Sequence, residues 1–171
     1  MTDADPTRAY VQLGANVGDP ATTLQEAVAR LDREPGIRVR EASPVYRNPP
    51  MGPQDQPDYL NAVVALDVDL RPRALLDRCL DIEREFGRVR DIRWGPRTLD
   101  LDIVLFGFEI VDEPGLTIPH PRMLERSFVL LPLADLHPEG VHPLTQSTFL
   151  HLANTVGRED LVRVDVSLLP A

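Results

Sequence analysis

The chain has 171 residues, of which 43% are apolar and 26% charged, and its net charge is −9. This length and composition predict a single domain spanning residues 1–171 and exclude a largely disordered chain. The acidic balance argues against a general binder of nucleic acid or anionic membranes, because such proteins carry a basic surface. Only one cysteine is present, Cys79, so an internal disulfide and a Cys-rich zinc site are excluded.

The first half of the chain predicts one helix among three strands. Residues 1–8 are expected to form a frayed tail, and 9–13 a strand. Asp19 and Pro20 are typical of a helix start, and Leu24, Ala27, Val28 and Leu31 then follow at helical spacing. Strands are predicted at 37–43 and 59–68. Between them, 47–58 reads as a long proline-rich loop, for which a functional role is expected.

The second half predicts two or three helices and two to four strands. A helix starts at Pro72 and ends at Gly87, and its buried face includes Cys79, which is expected to be a core residue. A strand at 98–106 is followed by a possible hairpin partner at 108–111. Residues 128–136 form either a buried strand or part of a helix. A helix at 148–156, capped by Ser147, and an edge strand at 161–166 complete the chain. Consecutive strands without a helix between them favour an α+β fold with antiparallel pairing.

Two aspartates in the apolar strand at 98–106 are the first candidates for chemistry. Asp100 and Asp102 are two residues apart, so both carboxylates face the same way, about 7 Å apart at the backbone. Like charges on one sheet face repel unless cations lie between them, and carboxylate oxygens suit Mg²⁺. The alternative is a solvated polar face on an edge strand.

Arginines precede this carboxylate pair. Five of them lie between Arg84 and Arg97, and all 18 basic residues of the chain are arginines. The complete lack of lysine excludes a P-loop NTPase and Schiff-base chemistry. Arginines bind phosphate oxygens in a bidentate manner, so arginines beside metal-binding carboxylates indicate nucleotide-triphosphate chemistry.

The proline-rich loop adds residues that suit a flat heterocycle. An amide can bind the edge of such a ring, and an aromatic side chain can stack on its face. The candidates are Asn48, Pro49, Met51, Tyr59 and Asn61, with Trp94 and Phe128 as further aromatic walls. For Tyr59 and Phe128 the alternative is ordinary core packing.

The segment 93–107 (RWGPRTLDLDIVLFG) resembles the signature of the 6-hydroxymethyl-7,8-dihydropterin pyrophosphokinase family. Further segments resemble the same family in the family's order: 13–16 (LGAN), 46–62 (YRNPPMGPQDQPDYLNA), 82–90 (IEREFGRVR) and 116–133 (LTIPHPRMLERSFVLLPL). The resemblance extends from about residue 9 to residue 143. The chain departs from the family at Asn48, where threonine is common, and at 91–92, where the loop is one residue shorter. Little resemblance remains after His142.

The resemblance implies a ferredoxin-like α-β-α sandwich that transfers pyrophosphate from ATP to the hydroxymethyl group of the pterin, with AMP leaving, in folate biosynthesis. It implies two Mg²⁺ ions held by Asp100 and Asp102, and phosphate clamps at Arg88 and Arg97. Contacts to ATP are implied for Glu83, Arg88, Arg90, Arg97, Ile103, Thr117, His120 and Arg126. Contacts to the pterin are implied for Asn48, Pro49, Asn61, Tyr59 and Phe128. A cytoplasmic monomer that binds neither nucleic acid nor membrane is expected.

Two rival functions remain open on the residues alone. An RNA-binding module of ferredoxin-like fold could use the arginine run, although the net charge of −9 and only nine aromatic residues count against it. A metal-dependent nuclease could use the two aspartates, but its groove would be expected to be broadly basic. Salt-dependent binding to nucleic acid would separate both rivals from the pyrophosphokinase.

Overall fold

The computed structural model describes residues 5–49, 56–87, 98–157 and 160–169. In chain order its elements are β1 (Thr7–Ala15), α1 (Pro20–Arg33), β2 (Ile37–Ala42), β3 (Val45–Asn48), β4 (Tyr59–Val68), α2 (Pro72–Glu85), β5 (Asp100–Phe106), β6 (Val111–Glu113), β7 (Leu116–Ile118), α3 (Ser127–Leu136), α4 (Phe149–Thr155) and β8 (Val162–Val164). No helix in these ranges has the length and apolar composition needed to cross a bilayer.

A central antiparallel sheet separates two helical layers. Its strand order is β5-β1-β4-β3-β8, and β2 pairs with the second half of β4. One face packs on α1 and α2 through a core that includes Leu24, Leu31, Leu75 and Ile82. The other face packs on α3 and α4 through a second core that includes Leu130 and Phe149. The predicted α+β class and α-β-α sandwich are therefore confirmed.

Local sequence signals account for several element boundaries. The Asp19 carboxylate accepts a hydrogen bond from the backbone N of Thr22, and Pro20 opens α1 as predicted. The structure places β4 at Tyr59–Val68, which is the predicted strand. Because helices cover both faces of the sheet, both alternating sets of β4 side chains are buried, with Ala62 and Val64 in one core and Val63 in the other. Of the two alternatives for 128–136, the helix is correct.

Other boundaries differ from the predictions. Strand β1 begins at Thr7, and Arg8 pairs with Asp67 both in the sheet register and through an ion pair of 2.9 Å. Residues 7 and 8 therefore belong to the sheet and not to a frayed tail. The helix cap predicted at Ser147 is Thr148, whose hydroxyl accepts from the backbone N of His151. Part of the predicted loop at 47–58 is β3, which ends at Asn48.

The hairpin predicted between 98–106 and 108–111 is wrong. Strand β6 pairs with β7, and the outer edge of β5 instead accepts a bond from the backbone N of His120 at the carbonyl of Val104, 2.9 Å away. The apolar residues Phe108 and Ile110, which suggested a strand, are 74% and 61% exposed in the turn after β5. Their apolar character is therefore not a sign of strand pairing.

Candidate active site

Four neighbouring strands place one row of residues across the sheet. Asp100 on β5 lies opposite Gly14 on β1, Gly14 lies opposite Asn61 on β4, and Asn61 lies opposite Tyr46 on β3. Directly opposed residues of antiparallel strands point to the same face. This face is the one covered by α3, because Tyr46 belongs to the second core. Two strand spacings separate Asp100 from Asn61, or about 10 Å between their backbones.

The glycine in this row gives the Asn61 amide its space. A Cβ atom at position 14 would lie 2.9 Å from Asn61 Oδ1 and 3.4 Å from Gln12 Nε2, and a Cβ at 2.9 Å is closer than real Cβ atoms come. The side chain of Asn61 therefore lies across β1 at the point where β1 carries no side chain of its own. Any larger residue would displace this amide.

A chain of hydrogen-bonded amides holds Asn61. Gln12 Nε2 donates to Asn61 Oδ1 over 2.8 Å, and Asn61 Nδ2 donates to Asn48 Oδ1. Asn48 Nδ2 in turn donates to the carbonyl of Pro49, 3.0 Å away. Asn61 is 4% exposed, so its amide is buried and its orientation is set by these partners. The predicted pterin residues Asn48, Pro49 and Asn61 thus lie together, as neighbours in one network.

A second buried amide pair anchors the far end of the proline-rich segment. Asn16 Nδ2 donates to Gln56 Oε1 over 2.9 Å and to the carbonyl of Pro57 over 3.0 Å. Asn16 and Gln56 are both buried, so these hydrogen bonds are shielded from water and are stronger than they would be at the surface. They attach the entry into β4 to the end of β1, next to the row described above.

The two aspartates are half-buried and alternate with core residues of β5. Leu101 and Ile103 point into the first core, so Asp100 and Asp102 share the opposite face. The carboxylate of Glu83, on α2, accepts from the backbone N of Leu101 over 2.8 Å. This buried bond, from a side chain 2% exposed, fixes the peptide between the two aspartates. Glu83, which resemblance assigned to ATP, therefore contacts the strand that carries the aspartates.

The donor set of this strand suits magnesium. In the described part of the chain, no group of three or more His, Cys, Asp or Glu side chains could hold a metal on its own. Mg²⁺ needs no such group, because it is commonly bound through one or two carboxylates and completes its shell with water and substrate phosphates. Asp100 and Asp102 present two carboxylates on one face, which fits this mode of binding.

Residues assigned to ATP line a pocket along the outer edge of β5. The pocket has a volume of about 280 Å³, and Asp102, Ile103, Thr117 and His120 all contribute to its wall. Larger cavities lie elsewhere, including one of about 580 Å³ between Ser43 and the C-terminal segment. The chemistry of the side chains, and not the volume, therefore identifies the smaller pocket as the functional candidate.

His120 is a neutral hydrogen-bond donor in this pocket. Burial, together with the charges of Arg126 and Arg122, lowers its pKa to about 4, so the ring is uncharged near neutral pH. Its Nδ1 accepts from the backbone N of Arg122 over 3.1 Å. The proton of the neutral ring must then be on Nε2. Its backbone N, bonded to Val104, fixes the residue on the edge of β5.

The start of α3 places a cation and an aromatic ring together. The guanidinium of Arg126 lies over the ring of Phe128, 5.5 Å from the centroid, which is a favourable cation–π distance. Phe128 is half-buried and packs on the edge of the second core, so it has a packing role as well as an available face. Tyr59 lies opposite Asn48 and belongs to neither core cluster, so packing in these cores does not explain it.

Some site residues lie outside the described residues, and others were not foreseen. Met51, Arg88, Arg90, Trp94 and Arg97 fall in segments that the structure does not describe. Sequence reasoning missed Gln12, Gly14, Tyr46 and Gln56. For Gln12 a signal existed, because it is the one amide side chain in the apolar segment 9–15.

The fold and the row together define an α+β protein whose sheet carries a carboxylate pair beside a buried amide network. The family model described as 7,8-dihydro-6-hydroxymethylpterin-pyrophosphokinase (HPPK) matches residues 10–138. The 2-amino-4-hydroxy-6-hydroxymethyldihydropteridine pyrophosphokinase of Pseudomonas aeruginosa is 52% identical over 132 residues, covering 77% of this chain and 82% of the relative. The enzyme of the same name from Bacillus subtilis is 47% identical over 128 residues, covering 75% and 77%.

Among solved structures, the chain resembles a crystal structure of HPPK-DHPS in complex with substrates, with a TM-score of 0.70 and 14% identity. The match covers 89% of this chain and 43% of that one, and at this identity it supports the fold alone. The chain belongs to the 7,8-dihydro-6-hydroxymethylpterin-pyrophosphokinase family. Membership confirms the resemblance and the prediction of an ATP-dependent pyrophosphokinase of folate biosynthesis.

Proposed function

We propose that the row across β5, β1 and β4 is the place where this enzyme transfers pyrophosphate from MgATP to the hydroxymethyl oxygen of 6-hydroxymethyl-7,8-dihydropterin. The sheet register carries this proposal. It puts the Asp100 carboxylate and the Asn61 amide on one face with only Gly14 between them. A metal-bound phosphate and a flat heterocycle can therefore meet above the same part of the sheet.

The pterin half of the site is the network around Asn61. A primary amide carries both donors and an acceptor, so it can pair with the donors and acceptors on the edge of a pterin. Asn48 and Pro49 add an amide and a backbone carbonyl beside it. We assign the ring faces to Tyr59 and Phe128, each half-buried, with Met51 and Trp94 as further contacts.

The nucleotide half is the pocket on the edge of β5. Thr117 supplies a hydroxyl and His120 a neutral Nε2–H, which can both donate to phosphate or ribose oxygens. Ile103 contributes apolar surface to the same wall, and Arg126 lies at the start of α3 nearby. Because His120 stays uncharged near neutral pH, its contribution is a hydrogen bond and not a full positive charge.

Asp100 and Asp102 would hold Mg²⁺, and we propose two ions, as the family resemblance implies. Bound magnesium would neutralise the negative charge of the phosphate oxygens during transfer. The protein itself sets the position of these two carboxylates. Glu83 fixes the backbone between the two carboxylates through Leu101, so their spacing is set before any ligand binds. We assign the phosphate clamps to Arg88 and Arg97 and a further phosphate contact to Arg90, all from the sequence.

Positioning accounts for most of the proposed catalysis. The pterin hydroxymethyl oxygen attacks the β-phosphorus, its bond to that phosphorus forms, and the bond to the AMP oxygen breaks. Such transfers need alignment and charge neutralisation more than a strong base, so we name no general base. The proton of the hydroxymethyl group passes to solvent or to a phosphate oxygen as the new bond forms.

The nucleotide product tests the proposed reaction directly. The enzyme is incubated with ATP, Mg²⁺ and the pterin alcohol, and the products are separated by chromatography. We expect AMP together with a pterin that has gained two phosphates. ADP would show single phosphoryl transfer and would refute the proposed attack at the β-phosphorus. The monomeric state, the cytoplasmic location and the single domain over 1–171 stay predictions, and size-exclusion chromatography tests the first of them.

A further inference from the structure

Gln12 is a buried polar side chain to which neither the resemblance nor the proposed chemistry gives a role. It lies in β1, 3% exposed, between Asp102 on β5 and Val63 on β4. A primary amide in such a place costs free energy unless its hydrogen bonds are made. Val63, directly opposite on β4, and Tyr10, two residues earlier on β1, point to the same face and belong to the second core, so an apolar side chain could also occupy position 12.

Gln12 Nε2 donates two hydrogen bonds, one within its own strand and one to a neighbouring strand. One reaches the carbonyl of the adjacent Leu13, 2.9 Å away, and fixes the Gln12 side chain to its own strand. The other crosses to β4 and reaches Asn61 Oδ1, 2.8 Å away. An NH₂ group can only donate, so the atom of Asn61 that faces it must be the oxygen. Together with Asn48 Oδ1, which accepts from Asn61 Nδ2, Gln12 therefore fixes which way the Asn61 amide is turned.

We propose that Gln12 is a positioning residue for pterin binding, which holds the Asn61 amide in one of its two orientations. In that orientation Oδ1 faces β1, and Nδ2 faces β3, where it meets Asn48 Oδ1. This inference rests on the proposed role of Asn61 as a pterin contact. This orientation requires glycine at position 14, because a Cβ there would occupy the space of the Asn61 amide.

Orientation matters because the two ends of an amide have opposite hydrogen-bonding character. A flipped Asn61 would present a donor where the pterin edge needs an acceptor, and an acceptor where it needs a donor. Buried groups left unpaired in this way cost more than the bond that was lost. Without Gln12, only the bond to Asn48 Oδ1 would favour this orientation, so the flipped amide would be more populated and the pterin affinity would fall.

The test is Gln12→Met, which keeps the length of the side chain and removes the donor. We expect the pterin Kd and KM to rise by about 3- to 10-fold, the effect of one net hydrogen bond. The kcat and the KM for MgATP should change by less than about twofold, because the loss is in ground-state binding of the pterin. Gln12→Ala replaces it if the methionine variant does not fold.

Tyr10→Phe is the matched control. Tyr10 lies on the same strand and the same face and is 7% exposed, and the substitution removes the hydrogen bond between its hydroxyl and His137 Nδ1, which are 3.2 Å apart. It lies opposite Leu105, away from Asn61. The control should lower the melting temperature without changing the pterin KM. An equal rise of the pterin KM in both variants would show a general structural effect and would overturn the proposal.

Combining Gln12→Met with Asn61→Ala separates this inference from the proposed site. If Gln12 acts through Asn61, then Gln12→Met should have no further effect on pterin affinity once Asn61 is alanine. An effect of the same size in both backgrounds, or none in the wild type, refutes the role of Gln12. If Asn61→Ala alone leaves the pterin affinity unchanged, the proposed pterin site is itself wrong, and the inference fails with it.

Discussion

Gly14→Ala should weaken pterin binding through steric displacement of Asn61. The new Cβ would lie 2.9 Å from Asn61 Oδ1, and ordinary van der Waals contact begins at 3.4 Å, so the amide must retreat by about half an ångström. That movement stretches the bond from Gln12, which is 2.8 Å in the wild type, beyond the usual hydrogen-bond distance. The backbone of Gly14 has no positive φ, so the effect comes from the side chain and not from backbone strain.

The expected losses of stability and of pterin affinity follow from the hydrogen bond that is weakened. A weakened buried hydrogen bond with an incompletely paired amide costs about 1–2 kcal/mol in the free energy of unfolding. The same displacement should raise the pterin Kd by about tenfold, equivalent to about 1.4 kcal/mol. Urea denaturation measures the first quantity and isothermal titration calorimetry the second. MgATP affinity should stay within about twofold, because the pocket on β5 does not include Gly14.

Two further variants test whether the clash with Asn61 causes these effects. In an Asn61→Ala background the clash disappears, so Gly14→Ala should no longer destabilise the fold. Gly140→Ala is the contrast, because its Cβ would lie 2.3 Å from the ring of Phe149 in the second core, remote from the row. It should lower stability without a selective loss of pterin affinity. A pterin Kd that Gly14→Ala leaves unchanged in the folded enzyme would contradict the steric account.

Three other predictions concern charge. Asp100→Ala and Asp102→Ala should each lower turnover by at least about 100-fold, because each removes a proposed metal ligand, and the melting temperature without metal should equal or slightly exceed that of the wild type. A much lower melting temperature would show a structural role instead. The pKa of His120 is about 6.5 in the unfolded chain and about 4 in the folded protein. The contribution of the neutral ring to stability is therefore complete above pH 6.5 and is lost as the pH falls towards 4. Denaturation curves of His120→Asn should lack this pH-dependent component, and NMR titration of the ring checks the pKa. Arg88→Ala and Arg97→Ala should each slow single turnover at saturating ATP by at least about 100-fold, with partial rescue by lysine; a wild-type rate would mean that these arginines act only in binding.

The features predictable from sequence are those encoded within a short stretch of chain. Asp19 with Pro20 marks the start of α1, and the alternation in β4 identifies both faces of that strand. The spacing of Asp100 and Asp102 shows that the two carboxylates point the same way, whatever their neighbours are. Each of these conclusions depends on local geometry, which the order of residues determines.

The features that were missed depend on contacts between distant residues. Gln12 and Asn61 are 49 positions apart, and nothing near either residue indicates that they meet. The free edge of β5 was expected to pair with 108–111, but His120 bonds there instead, because the chain returns only after the β6–β7 hairpin. Register between strands decides such contacts, and register follows from packing of the whole sheet.

Register also explains why this site and the core depend on each other. Side chains alternate along β5, so a slip of one residue would turn Asp100 and Asp102 into the first core and would expose Leu101 and Ile103. Burying two carboxylates among apolar residues costs several kcal/mol, far more than the loss of one hydrogen bond. The Glu83 carboxylate, bonded to the backbone N of Leu101, opposes the same slip. The position of the two aspartates, our proposed metal ligands, is thus determined by the apolar residues that alternate with them, and core substitutions at Leu101 or Ile103 should affect activity as well as stability.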